Sequence, residues 1–163
     1  MTALQVRRGV GMPFHRRSAK ATIAVVAAWA SLAAAQAPAG GDGRTLVGLP
    51  EPMRTHTIAN MRDHLLALQE IDEALSKGDF AAAARIAEER IGMSSLKSHG
   101  AAHIASFLPA PMQEIGTRMH RAASRFAVEA QNAGASGDLR PVLRAKGEVI
   151  RECVACHAAY RYH

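Results

Sequence analysis

The sequence predicts an all-α protein, an antiparallel four-helix bundle whose last helix carries the chemistry near the C-terminus. Three observations point there. Apolar residues recur every three or four positions in four separate segments. Between 54 and 163 there are no alternating apolar and polar runs and no hairpin turn signals. The joints between segments carry helix stops and caps, such as Lys77-Gly78-Asp79 and Ser136-Gly137-Asp138. Helices joined mostly by short loops pack as antiparallel neighbours.

The first helix is expected over about 54–76, with Ile58, Met61, Leu65, Leu68, Ile71 and Leu75 on one stripe. Asp79 caps the second, in which Phe80, Ala84, Ala87 and Ile91 share a face and Gly92 ends or bends the chain. A short helix is expected over 98–108, broken by Pro109 and Pro111. The third long helix covers about 111–133, with Ile115, Met119, Ala123, Phe126 and Ala130 on its face, and the loop 132–137 stops it. Asp138 caps the last helix, Pro141 falls harmlessly in its first turn, and Leu139, Val142, Leu143, Val149 and Ile150 supply its apolar surface.

Residues 1–35 read differently. Five basic residues (Arg7, Arg8, Arg16, Arg17 and Lys20) precede the apolar run 21–35, which is short for a membrane span and ends in small residues, with Ala33 and Ala35 placed as in an A-x-A cleavage site. This is the layout of a signal peptide, so the chain is expected to be exported to the periplasm and to keep no membrane span after cleavage. The Gly- and Pro-rich stretch 36–53 is expected to be a flexible lead-in, followed by one folded domain over 54–163.

The chain has 20 basic and 14 acidic residues, a net charge of +6. Without the five basic residues of the leader the balance is 15 to 14. The remaining charges are interspersed, so no basic stripe for phosphate contacts exists and nucleic acid is not an expected partner. Glu88-Glu89-Arg90 reads as a solvated helix face.

Only two cysteines are present, Cys153 and Cys156, in the run Cys153-Val154-Ala155-Cys156-His157. Two thiols three apart face the same way on a helix, and His157 lies four beyond the first. Each sulfur can join one vinyl group of a haem, and the imidazole can then ligate the iron from below. One covalent haem c is therefore the expected cofactor, with Cys153 and Cys156 as attachment points and His157 as proximal ligand. Competing readings are a redox dithiol, which lacks the βαβ setting it prefers; a zinc site, which needs a further ligand such as His163; and a plain disulfide. His99 and His103 could form a metal pair if they share a helix, but together with His56 and His120 they read as surface or loop histidines.

Residues 153–161, C-V-A-C-H-A-A-Y-R, are similar to the C-x-x-C-H-x-x-[YF]-[RK] ending of the class II cytochromes c, a family that includes cytochrome c′ and its low-spin relatives. The resemblance spans about 54–163, in sequence at the last helix and in architecture elsewhere. It implies that Arg161 approaches a haem propionate and that the first helix meets the distal face of the haem. There Met61 is the candidate distal ligand and His64, one turn along, the alternative; Leu65 could block the same face. The family's frequent Arg one turn before the distal residue is replaced by Thr57.

Met61 as ligand implies a one-electron carrier working with a redox partner protein. An open distal site implies instead a high-spin, cytochrome c′-like protein that binds nitric oxide or carbon monoxide. Enzymatic activity is not expected, since only His64 could act as a distal acid–base group. The resemblance also implies a homodimer through the first two helices, where the small Ala81–Ala87 face would allow close packing.

Overall fold

The computed structural model describes residues 41–162; the expected signal peptide, residues 36–40 of the lead-in and His163 lie outside them. The described chain is all-α, built on α1 (Glu51–Ser76), α2 (Phe80–Arg90), the single turn α3 (Ala101–Ile104), α4 (Ala110–Ser136) and α5 (Leu139–Ala159).

Local chemistry sets the boundaries. Pro52 stands in the first turn of α1, where a missing N–H costs nothing. The helix therefore starts at Glu51, three residues before the expected 54 and two turns before Ile58, where the apolar periodicity begins. At its far end Gly78 takes φ of 72°, and the Asp79 carboxylate accepts from the Ala82 N–H at 2.9 Å to cap α2. Asp138 caps α5 in the same way through the Arg140 N–H at 3.0 Å. After α2 the chain turns sharply at Gly92, where a Cβ would stand 2.8 Å from the Glu88 Cα. Any side chain there would collide with backbone.

Three expectations are corrected. The segment 98–108 is not one short helix but α3 followed by a 3-10 turn, Ala105–Phe107. The stretch 132–137 stops the third long helix only at its last residue: α4 runs through Gly134 to Ser136, because Ala133 is buried in the core, and Gly137, with φ of 72°, ends it. Residues 45–49 are not a loose lead-in. Thr45–Leu46 (β1) pair in parallel with Tyr160–Arg161 (β2), and the Val47 N–H donates to the Arg161 carbonyl at 2.9 Å. Val47 and Leu49 are buried, which anchors them against the domain.

The closest backbone packing is α1 on α2, α2 on α4 and α4 on α5. Ala83, Ala84 and Ala87 make the buried face of α2, small enough for α1 and α4 to approach from both sides. Ile71, Ile91, Phe126 and Val142 fill the interior between the helices. Contrary to the solvated-face reading, Arg90 reaches across to α1, where it pairs with Asp63 and Glu70, and Glu88 accepts from Ser94. Lys146 on α5 pairs with Asp72 on α1. Phe126, 2% exposed, is the largest fully buried side chain. Phe126→Ala should lower unfolding stability by about 3–5 kcal/mol, read as a shift in the urea midpoint at unchanged slope; a loss under ~1 kcal/mol would mean that the core is not packed as described.

Candidate functional site

The stripe expected as core on α1 is only partly core. The buried residues of α1 are Thr57, His64, Ala67, Ile71 and Ala74. Met61 and Leu68 are half-buried, and Leu65 is 71% exposed. The reason is a cavity of about 460 Å³ onto which Met61, His64, Leu65 and Leu68 all face. It lies within the range of about 300–1,000 Å³ typical of cofactor sites. Its walls, largely apolar, come from α1, α4, α5 and the connection between α2 and α4.

Cys153, Cys156 and His157 lie together on the α5 wall. Both cysteines are free thiols and half-buried, with the Cys153 thiol donating weakly to the Val149 carbonyl at 3.4 Å. Burial pushes both thiols up from their ordinary values, aided at Cys153 by Glu152 and at Cys156 by Cys153. They stand protonated at neutral pH. The His157 side chain is exposed at the cavity edge, and its carbonyl accepts from Arg44 Nη1 at 3.3 Å.

Five of the six site residues expected from sequence thus line one cavity: Met61, His64, Cys153, Cys156 and His157. Arg161 does not line it. Its Nε stands 3.4 Å from Asp42, a carboxylate that Arg44 holds down at about 2.

Gly116 on α4 also faces the cavity, and a Cβ there would meet nothing within 4 Å, so the wall is recessed at that point. Tyr162 closes one end; burial raises its phenol to about 12. Glu152, buried beside the cysteines, is held by Arg118 at 3.0 Å.

The connection and α4 add what the sequence reading missed. His99 and His120 are not surface histidines. They line the cavity and pack around His64, with ring centroids 4.8 Å (His64 to His99), 5.5 Å (His99 to His120) and 6.1 Å (His64 to His120) apart. His103, four residues from His99, stays exposed, so that spacing makes no helical pair. The repeated histidines were visible in the sequence, but only the return of the connection against α4 unites residues from three elements.

Burial, reinforced by the neighbouring His99 and His120, holds His64 at about 4; Asp63 opposes the shift and Arg90 adds to it. Burial also lowers His99 and His120. An unfolded chain takes up these protons below about pH 6.5 while the folded one does not, so stability is full above that pH and falls as pH drops toward 4. The haem-free protein in a chelating buffer should lose about 2 kcal/mol between pH 7 and pH 5 through His64 alone. Urea unfolding at the two pH values measures this, and His64→Gln should flatten the dependence. Equal stability at pH 5 and 7 would show that His64 titrates normally.

Comparison with protein-family models, with characterised proteins and with solved structures finds no match to the chain. Among the described residues no helix is long and apolar enough to cross a membrane.

Proposed function

We propose that the described domain is a c-type haem protein in which the four long helices form an antiparallel bundle around the cofactor. Within that class we read it as an exported electron carrier of the class II cytochrome type. The observation that carries this reading is the position of Cys153, Cys156 and His157 on one wall of an apolar cavity that Met61 also lines. The composition of the walls fits a porphyrin: apolar side chains on the faces, two protonated thiols at one edge, an imidazole beside them and a recess at Gly116.

When bound, the haem supplies a one-electron iron couple. Cys153 and Cys156 would hold it through thioether bonds, each Sγ–H adding across a vinyl group without an external oxidant. His157 would be the proximal ligand. Met61 would be the second iron ligand, since the His64 ring packs against His99 and His120. A neutral thioether favours the reduced iron and raises the potential, which suits electron transfer. Leu65 and Leu68 would then be covered by the cofactor, which accounts for a leucine left 71% exposed on α1.

The test is the absorption spectrum of the protein made with export and haem-maturation machinery, oxidised and reduced, with and without carbon monoxide. Absence of covalent haem would overturn the proposal. A low-spin spectrum with a sulfur-to-iron charge-transfer band, insensitive to carbon monoxide, is the expected result. A low-spin spectrum without that band would move the distal role to His64. A high-spin spectrum that shifts with carbon monoxide would make this a gas-binding protein.

A further inference from the structure

We propose that His64, His99 and His120 form a site for one divalent transition-metal ion, copper(II) or zinc(II), in the wall of the cavity. The site comes from three separate elements: α1, the connection after α2, and α4. It uses none of the residues assigned above to the haem, and it requires that His64, the alternative distal ligand, stay off the iron.

The hydrogen bonds around the rings select one tautomer. His120 Nδ1 lies 2.6 Å from the Ile91 carbonyl, an acceptor only, so Nδ1–H donates and Nε2 keeps its lone pair. The Ser95 hydroxyl donates to the Gly92 carbonyl at 2.7 Å, which leaves its oxygen to accept from His99 Nδ1–H at 3.2 Å. His99 Nε2 is therefore also unprotonated. Fixing one ring nitrogen on a carbonyl or hydroxyl so that the other is free for a metal is the usual outer-shell arrangement of ligating histidines.

The third ring supplies the independent observation. His64 is 7% exposed, lines the cavity, and its Nε2 is buried without a hydrogen-bond partner. Leaving such an atom unsatisfied is costly, and a bound ion would remove that cost.

The ring spacing comes near that of a shared ion without reaching it. With a metal–nitrogen distance of about 2.0–2.1 Å, the ring centroids of three tetrahedral imidazole ligands lie about 5 Å apart. The observed separations are 4.8, 5.5 and 6.1 Å. As the side chains stand, no three such donors among the described residues converge on one ion, so binding requires the rings to tilt inward. Three neutral nitrogen donors suit copper(II) or zinc(II) rather than magnesium or calcium, which prefer oxygen.

The test is calorimetric titration of the purified full chain, stripped with a chelator, with copper(II) sulfate and with zinc(II) chloride. One equivalent should bind with a Kd below ~1 µM, and His99→Gln and His120→Gln should each weaken it by at least about 100-fold. His56→Gln and His103→Gln, at exposed positions, should leave it unchanged. Should the buried variants fail to fold, the electron paramagnetic resonance of copper(II) on the unmodified protein decides, since three imidazoles give a resolved multi-nitrogen pattern. No saturable binding, equal binding by the His99→Gln and His120→Gln variants, or a copper signal without several nitrogens would overturn the proposal. A chain without covalent haem that still binds one ion, and loses it in the His99→Gln and His120→Gln variants, would refute only the haem reading.

Discussion

Replacing both Cys153 and Cys156 by Ser should abolish covalent haem attachment completely, while the helical fold survives. The two thiols project from α5 into the cavity and are not joined to each other, so their removal breaks no cross-link. Their structural contribution is small: each is half-buried, and only Cys153 makes a weak hydrogen bond, to a carbonyl of its own helix. Ser fills nearly the same space and is tolerated in a helix at a cost of a few tenths of a kcal/mol. The measurement is haem staining after denaturing electrophoresis, with circular dichroism to follow the fold. The unmodified chain should keep its haem through denaturation and the double variant should show none. Single variants should retain one thioether or be attached poorly, because His157 still offers the iron a ligand from the same wall. Haem that resists denaturation in the double variant would exclude attachment at these sulfurs. Loss of helix in step with the haem would instead assign the cysteines a structural role.

Much of this fold was legible in the sequence because its signals are local. Lys77-Gly78-Asp79 marks the α1–α2 joint by a left-handed residue and a capping carboxylate, both decided within a few residues. Cys153, Cys156 and His157 were readable for the same reason, since one turn of helix sets their geometry. What escaped was non-local. Ser136 could be reached only because Ala133 is buried against other elements, which overrides the helix-breaking tendency of Asn132 and Gly134. The pairing of Thr45–Leu46 with Tyr160–Arg161 joins the two ends of the domain, and two residues are too few for an alternation signal. The period of α1 was read correctly, yet the stripe merged two surfaces: Ile71 faces the core with Ala67 and Ala74 beside it, Met61 and Leu65 face the cavity, and Leu68 touches both. Apolar spacing reports which residues avoid water, not whether protein or a cofactor covers them. The largest omission was the meeting of His64, already singled out on α1, with His99 and His120, because residues separated by 35 and 21 positions meet only in the folded chain.

The second large effect is expected at Met61. On the proposed ligation, Met61→Ala should convert a low-spin protein into a high-spin one that binds carbon monoxide readily. The thioether is flexible and half-buried at the cavity wall, so truncation leaves space beside the iron rather than a collapsed core. Ala also keeps α1 intact, being the strongest helix former. The sulfur-to-iron charge-transfer band should vanish and the reduction potential should fall, because the ligand that favours reduced iron is gone. Whether His64 then takes the vacant position depends on its present neighbours. Its ring is packed 4.8 Å from His99 and 6.1 Å from His120 between centroids, and moving to the iron would break up that cluster. Added zinc(II) should hold it in place if the three imidazoles bind an ion. The Met61→Ala protein should therefore be high-spin with zinc(II) present, whereas a chelator could allow a low-spin form with two imidazole ligands. A spectrum untouched by Met61→Ala would remove Met61 from the iron, and the His64→Gln spectrum would then show whether histidine had been the ligand from the start.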